Sequence, residues 1–315
     1  MAMNLEACLP LDLQQPSTTI TKVAAGLSGA GVYRVDAEAG AFVLKVAGSD
    51  QPLADWQRKL HMQQLAANAG LAPRIVHVDE SKRAIVSEFV VDRSFAALHG
   101  NPATREAAIA LLGRTLRRVH DLPLPPDSVV NDPREFLAAV LSRLDGHFMM
   151  PSFVLAAAQC VLTEEPPPSE RALVFSHNDV NPSNLVYDGE RLLLLDWDTS
   201  GTNDPLYDLA VISVFMRMDG EACRRLLAAH DDAPVASLPA RFMACRRTAA
   251  VLCGVMFMRL AHQGGHAGAS GAETFESTLS LTDFYKRLMA GTLNVASAEG
   301  QWLFGLALIK ESGAA

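Results

Sequence analysis

The chain has 315 residues and a net charge of −8, and 49% of its residues are hydrophobic. This length and apolar content suffice for one large or two modest domains with a sizeable core, and they exclude a disordered chain. The acidic balance argues against a nucleic-acid partner, because neutralising a phosphate backbone requires a basic surface.

The cysteines and the most apolar segments indicate where such a chain works. The five cysteines form neither metal-type pairs nor a disulfide framework, which is typical of reduced core residues in a cytoplasmic protein. Residues 1–16 lack the basic and apolar regions of a signal peptide. The most apolar stretch, 248–260, is too short to cross a bilayer, so we expect no membrane association.

The first elements predict strands around a glycine-rich turn. Alternating residues at 20–23 and 32–35 flank the turn, and a third strand follows at 42–46. Glycines let a backbone approach an anion closely, although a plain hairpin turn would explain them equally well. Lys45 is the only charged residue of the third strand, where a lone ammonium is costly unless it meets an anion. The candidate anion-binding residues of the turn are Gly26, Ser28, Gly29 and Gly31.

A helix over 53–69 and two strands at 75–79 and 84–91 complete a predicted sheet of about five strands. From residue 94 the pattern becomes helical. The helices are predicted at 103–121, 132–144, 153–162, 209–218, 221–230, 239–260 and 273–289, and 294–315 forms a last helix or an ordered tail.

The densest group of polar residues lies at 175–208. His177, Asp179, Asn184, Asp196 and Asp198 fall within 22 residues. Two short apolar runs, 185–187 and 192–195, flank an Asp-Gly pair and predict a β-hairpin. A tight hairpin brings its ends together, which places an amide oxygen and a carboxylate at one mouth, as Mg²⁺ prefers. A second carboxylate nearby can accept a proton from a hydroxyl.

The order His177-x-Asp179-x-x-x-x-Asn184, an apolar strand and Asp196-Trp-Asp198 resembles the catalytic and metal-binding loops of protein-kinase-like phosphotransferases. The residues at 203–210 also resemble the segment after the metal loop in the choline kinase branch. The chain is therefore similar to the aminoglycoside phosphotransferase and choline/ethanolamine kinase family, and its motifs are closest to choline- and thiamine-type kinases.

This resemblance implies a protein-kinase-like bilobal α+β fold. Residues 1–91 would form a small nucleotide-binding lobe, with an antiparallel sheet of about five strands plus a helix. Residues 92–315 would form a larger, mainly helical lobe with the catalytic loop, the metal loop and the substrate site. The partners implied are ATP, Mg²⁺ and a small-molecule alcohol, either cationic or neutral, and the protein would be a monomer or a homodimer.

The resemblance also assigns roles to residues. Asp179 would be the catalytic base, and Asn184 and Asp196 would hold Mg²⁺. Asp198 would be either a second metal ligand or a partner for a substrate cation. His177, Asn181 and Asp208 would support the loop, and the glycine-rich turn, Lys45, Glu88 and Val90 would bind the nucleotide. Glu88 is equally consistent with an exposed strand end.

Two questions remain open in the sequence. The helix at 53–69 has no Glu to pair with Lys45, so the partner is Asp55, Gln63 or Asp196. For the acceptor, an amino alcohol such as choline, ethanolamine or thiamine is favoured, and an aminoglycoside is the alternative. A nucleotide-binding pseudokinase with a regulatory role is a second alternative.

Overall fold

The computed structural model describes residues 4–23, 31–48, 50–144 and 148–313. A five-stranded antiparallel sheet lies in the N-terminal part, and the remainder is mainly helical. The predicted α+β, kinase-like fold class is thereby confirmed. The predicted division at residue 91 stays a prediction.

The sheet has the strand order β1-β2-β3-β5-β4. Successive side chains of a strand point to opposite faces of the sheet, and Val35, Leu44 and Val86 enter a common core on one face. The third strand is central and carries Lys45, which pairs in register with Val32 and Ile85. The strands are β1 (Thr19–Lys22), β2 (Gly31–Ala37), β3 (Gly40–Val46), β4 (Ile75–Asp79) and β5 (Ala84–Glu88).

Helix α1 (Leu53–Asn68) packs beside this sheet and ends before Gly70, whose φ of +69° suits glycine. Strand β5 ends at Glu88, earlier than the predicted end at residue 91. The last hydrogen bond to the sheet joins the Phe89 N–H to the Ala41 carbonyl at 3.1 Å, and the chain then leaves the sheet.

The larger part of the chain packs around a core formed mainly by α3, α6, α7, α8 and α10. Two small antiparallel pairs, β6 with β9 and β7 with β8, lie within it. The helices are α2 (Phe95–Gly100), α3 (Arg105–His120), α4 (Pro133–Ser142), α5 (Ser152–Thr163), α6 (Pro205–Phe215), α7 (Gly220–Asp231), α8 (Ala240–Gln263), α9 (Leu281–Met289) and α10 (Ala298–Ser312). The short strands are β6 (Val174–Ser176), β7 (Leu185–Tyr187), β8 (Leu192–Leu194) and β9 (Gly201–Asn203).

One predicted helix is wrong over its first half. Instead of spanning 273–289, helix α9 begins at Leu281. The Glu273 carboxylate accepts backbone N–H groups from Ser270 and Gly271, which holds this segment in a turn. Ser280 then caps α9 by accepting the Asp283 N–H at 3.1 Å.

None of the helices in the described ranges is both long enough and apolar enough to cross a lipid bilayer.

Candidate active site

The predicted hairpin at the centre of the site is confirmed. Strands β7 and β8 pair in the register Leu185↔Leu194. The turn contains Gly189 at φ +107°, a conformation that favours glycine. At the open end, the Leu195 N–H donates to the Asn184 carbonyl at 2.8 Å. The residue before β7 is thus adjacent to the segment that leads from β8 into Asp196.

Asp179 lies against Asn184 at this mouth. The Asn184 amide donates to Oδ2 of Asp179 at 2.9 Å, and the Asn181 amide donates to Oδ1 at 3.0 Å. Both amide hydrogens of Asn184 point to Asp179, to its carboxylate and its backbone carbonyl. Burial raises the pKa of Asp179 above its ordinary value, although His177 and the two amides oppose the shift.

The amide oxygen of Asn184 remains available for a ligand. It accepts no hydrogen bond from any residue in the described ranges, even though Asn184 is buried. Within those same ranges, no group of three or more His, Cys, Asp and Glu side chains is arranged to hold a metal ion. A metal here would therefore need this amide oxygen in addition to carboxylates.

Lys45 bridges the two aspartates that follow the hairpin. Its ammonium lies 2.7 Å from Oδ1 of Asp196 and 2.8 Å from Oδ1 of Asp198. Of the three partners that the sequence left open, Asp196 is the one in contact. Asp55 instead pairs with Arg58 at 2.7 Å. Burial would raise the pKa of Asp196, but the Lys45 ammonium outweighs it, so that pKa lies below its ordinary value.

A cavity of about 230 Å³ opens beside Lys45 and Asp198. Helix α1 contributes Lys59 and Gln63 to its lining. The third candidate partner, Gln63, thus faces the same space without a hydrogen bond to Lys45 among the described residues.

Trp197 separates the two aspartates and fixes both. Its ring is buried, packs at 4.7 Å from the His177 ring, and donates its indole N–H to the Leu194 carbonyl at 3.0 Å. Asp196 has φ +58°, which is uncommon for a residue with a side chain. The anchored tryptophan and this backbone turn leave both carboxylates facing Lys45.

His177 is a fully buried support for the loop. Its Nε2 lies 2.9 Å from the Leu195 carbonyl, which can only accept, so the hydrogen is on Nε2. Nδ1 then accepts the Asp179 N–H at 3.3 Å. One neutral imidazole ring thereby ties Asp179 to the end of the hairpin.

Asp208 holds the same loop from below. Its side chain is fully buried and accepts the backbone N–H groups of His177 at 2.8 Å and of Asn178 at 2.7 Å. Asn178 adopts φ +65°, so the loop bends at the residues whose N–H groups bond to Asp208. Asp208 also contacts Nε2 of His120 at 3.1 Å. Burial would raise the pKa of Asp208, yet His120 and the loop contacts keep it below its ordinary value.

The predicted nucleotide-binding residues are only partly brought to this place. Gly26, Ser28 and Gly29 lie outside the described residues, and Gly31 begins β2 opposite Val46. At the other end of the sheet, Glu88 forms an ion pair with Arg74 at 2.5 Å, and Val90 is half-buried.

Sequence reasoning missed two contributions. It treated Asp198 as a metal or substrate ligand and not as a partner of Lys45. It also missed that His120 contacts Asp208 and a second histidine, His230. No motif marks these histidines, because they lie on separate helices and meet only after folding.

Comparison with known proteins places this geometry in a family. Residues 19–242 match the model of the phosphotransferase enzyme family. The chain is 43% identical over 51 residues to protein LicA of Haemophilus influenzae. That match covers 16% of the chain and only 19% of the relative's length.

Solved structures share the fold. A choline/ethanolamine kinase family protein from Mesorhizobium loti has a TM-score of 0.59 at 20% identity, covering 93% of this chain and 92% of that one. LicA in complex with AMP has a TM-score of 0.61 at 16% identity, covering 90% and 94%. An aminoglycoside-3'-phosphotransferase of type VIII has a TM-score of 0.53 at 21% identity, covering 75% and 94%.

The family model matches well over half of the chain. The match also includes both the strand with Lys45 and the loops around Asp179 and Asp196. The family description agrees with the predicted kind of enzyme, a phosphotransferase, and the neighbours share the fold. The chain belongs to the phosphotransferase enzyme family.

Proposed function

We propose that this enzyme transfers the γ-phosphoryl group of ATP to a hydroxyl group of a small molecule, with Mg²⁺ as cofactor. The observation that carries the proposal is the convergence of a half-buried base, Asp179, an amide oxygen of Asn184, and two carboxylates in contact with Lys45. Phosphoryl transfer needs positioning and charge neutralisation more than covalent chemistry, and this set of groups supplies both.

Asn184 and Asp196 would hold the metal ion. The unpartnered amide oxygen of Asn184 and the ionised carboxylate of Asp196 are hard oxygen donors, which fit Mg²⁺. When bound, Mg²⁺ neutralises the phosphate charge. Lys45 would then leave Asp196 and contact the nucleotide phosphates. The AMP-bound structural neighbour supports the use of a nucleotide.

Asp179 would orient the acceptor hydroxyl and take its proton. The two amides on its oxygens, from Asn181 and Asn184, fix the carboxylate in one orientation. Burial raises its pKa, which makes it a stronger base than an ordinary aspartate.

For the acceptor, we favour a small amino alcohol over an aminoglycoside. An aminoglycoside site would need a cluster of free acidic side chains, but three acids of the helical part serve the fold instead. Asp204 is bonded to Arg241 at 2.9 Å, Glu273 caps a turn, and Asp283 is bonded to Ser280. The choline kinase LicA from Streptococcus pneumoniae is among the structural neighbours and supports the same acceptor class.

The aromatic side chains form no open cage around the catalytic loop within the described ranges. Trp197, Phe215, Phe284 and Phe304 are all buried in the core. A substrate cation would therefore be held by a carboxylate. Asp198 is one-third exposed and is the available candidate, and it would serve either there or as a second metal ligand.

The deciding experiment is a turnover assay with ATP and Mg²⁺ across choline, ethanolamine, thiamine and kanamycin. We expect phosphorylation of at least one amino alcohol and none of kanamycin. Efficient kanamycin turnover would replace the favoured acceptor class. Nucleotide binding without turnover of any compound, including in the presence of Mn²⁺, would support the pseudokinase alternative.

All five cysteines are free thiols. This agrees with a reducing compartment, and we place the enzyme in the cytoplasm.

A further inference from the structure

Behind the catalytic loop runs a buried chain of four ionisable side chains. Asp208 lies 3.1 Å from Nε2 of His120, whose Nδ1 lies 2.8 Å from Nε2 of His230. Nδ1 of His230 lies 2.7 Å from Asp231. Asp231 in turn receives two bonds from Arg171, at 2.7 and 2.6 Å.

The hydrogen bonds among these four side chains determine how many protons the two histidine rings carry. Each aspartate is a pure acceptor when ionised, so the nitrogen facing it must carry hydrogen. The contact between His120 and His230 needs a third hydrogen. Three hydrogens on the four nitrogens of two rings amount to one net positive charge.

Charge balance in the interior requires the same proton. Asp231 is neutralised by Arg171. Asp208 is fully buried and, among the described residues, has no lysine or arginine in contact. His177 is neutral by its own hydrogen bonds. A buried carboxylate without a counterion would be costly, and the only cation that the contacts allow is an imidazolium at His120 and His230.

We propose that His120 and His230 share one proton at neutral pH, and that this cation positions the catalytic loop through Asp208. The two histidines are positioning residues, since they touch no reacting atom. The inference rests on the proposed function only for its effect on catalysis.

Removing the proton would disturb the loop. Two neutral rings that both donate to aspartates would face each other with lone pairs at 2.8 Å. Either the rings separate or Asp208 loses its bond from His120. A second proton is also disfavoured, because burial and the charge on His120 lower the pKa of His230 to about 4. The pair is thus built for one charge.

The other ionisable groups that face His120 and His230 do not supply the proton change near neutral pH. On α6, Tyr207 is buried beside Asp208, and burial raises its pKa well above the ordinary value. On α3, Arg117 and Asp121 pair with each other at the surface. On α7 and before β6, Asp231 and Arg171 are mutually neutralised, and His177 faces the loop.

The test is ¹⁵N-histidine NMR of the full chain at pH 7, without nucleotide or acceptor. We expect three N–H signals from the pair, which mark one doubly protonated and one singly protonated ring. His120→Gln and His230→Gln assign the signals. Asp231→Asn keeps both rings and should shift the signals of this pair alone, so the assignment survives if a histidine variant does not fold.

Two neutral rings at pH 7, or two charged ones, would overturn the proposal. Because no substrate is present, failure of the phosphotransfer hypothesis would leave this readout unchanged. A second readout is the pH dependence of stability between pH 7.5 and 8.5. The wild type should lose stability as the pH rises, by a slope that approaches one proton, because two free histidines with a pKa of about 6.5 have lost their protons in this range while the folded pair keeps one.

The matched control for that slope is His61→Gln, on an exposed histidine of α1. It should leave the wild-type slope unchanged. A slope near zero in the wild type over this range would refute a shared proton. For catalysis, the wild-type kcat should decline at alkaline pH as the pair loses its proton. His230→Gln should lower kcat with KM for ATP nearly constant, and it should lack this decline.

Discussion

The same type of side chain takes opposite roles at two positions of this site. Asp179 and Asp196 are both partly withdrawn from water, which raises a carboxyl pKa. Asp196 lies 2.7 Å from the Lys45 ammonium, which reverses the shift, whereas Asp179 meets only neutral amides and a neutral imidazole. Because their pKa values shift in opposite directions, Asp179 is suited to act as a base and Asp196 to bind a metal ion.

The first prediction concerns the base. Asp179→Asn should lower kcat by about 10²–10⁴-fold, because the hydroxyl proton loses its acceptor. The affinity for ATP should stay nearly constant, since Lys45 and Asp196 are untouched. Turnover and nucleotide titration measure the two effects. Glu190→Gln, an exposed acid on the turn of the same hairpin, is the control, and near-normal turnover in Asp179→Asn would refute the role.

A second prediction follows from the pKa of Asp179. Because burial raises it, this carboxylate takes up a proton at a higher pH than an ordinary aspartate and then cannot accept one from the substrate. The acid limb of kcat/KM should therefore lie above pH 3.8 and belong to Asp179, since Asp196 titrates lower. A pH series of kcat/KM from 3 to 8 measures it, and a limb at or below pH 3.8 would contradict the assignment.

At the scale of elements, the site depends on how closely two helices approach. Helices α3 and α7 carry His120 and His230 and meet at Gly113. A Cβ on Gly113 would lie 2.7 Å from the Leu226 carbonyl and 2.8 Å from Cβ of Ala229. Most of the obstruction is backbone, which cannot move aside as a flexible side chain would.

Gly113→Ala should therefore destabilise the protein, by about 1–3 kcal/mol, as overpacking commonly does. It should also separate the two histidine rings. Urea unfolding measures the loss. The matched control is Gly100→Ala, because a Cβ there meets nothing within 4 Å. If both variants were equally stable, the close packing of α3 on α7 would not be a constraint.

At the scale of the whole molecule, the ion pairs of Lys45 connect the sheet to the helical part. Lys45 comes from β3, and the two aspartates follow β8, 151 residues later in the case of Asp196. The residues of this contact are those that would bind Mg²⁺ and the nucleotide under the proposed function. Ligand binding would therefore replace a contact between the two parts with contacts of its own.

Magnesium and a non-hydrolysable ATP analogue should raise the Tm of the full chain. At a ligand concentration 100 times Kd, linkage corresponds to about 2.7 kcal/mol. EDTA should remove most of this stabilisation, because Asn184 and Asp196 would have no cation to hold. Calorimetry with and without EDTA measures it. An equal rise in Tm in EDTA would argue against a metal at these two residues.

Local patterns in the chain already determined much of this protein. The hairpin at 185–194 follows from two apolar runs around an Asp-Gly turn, and the strands and most helices follow from alternation and 3.6-residue periodicity. The spacing of His177, Asp179 and Asn184 was enough to indicate the family. These features depend on neighbours in sequence, which is why sequence reasoning reached them. The same reasoning failed at 273–280, where the Glu273 carboxylate accepts the backbone N–H groups of Ser270 and Gly271 and holds the segment in a turn.

Only the tertiary structure decided which charges meet. The helix without a glutamate left Lys45 with three possible partners, and folding selected Asp196 and added Asp198. Likewise, His120, His230 and Asp208 come from three helices, and no local pattern links them. The physical reason is that a buried charge takes whichever counter-charge the packing of distant elements brings within about 3 Å, and that distance is a property of the fold.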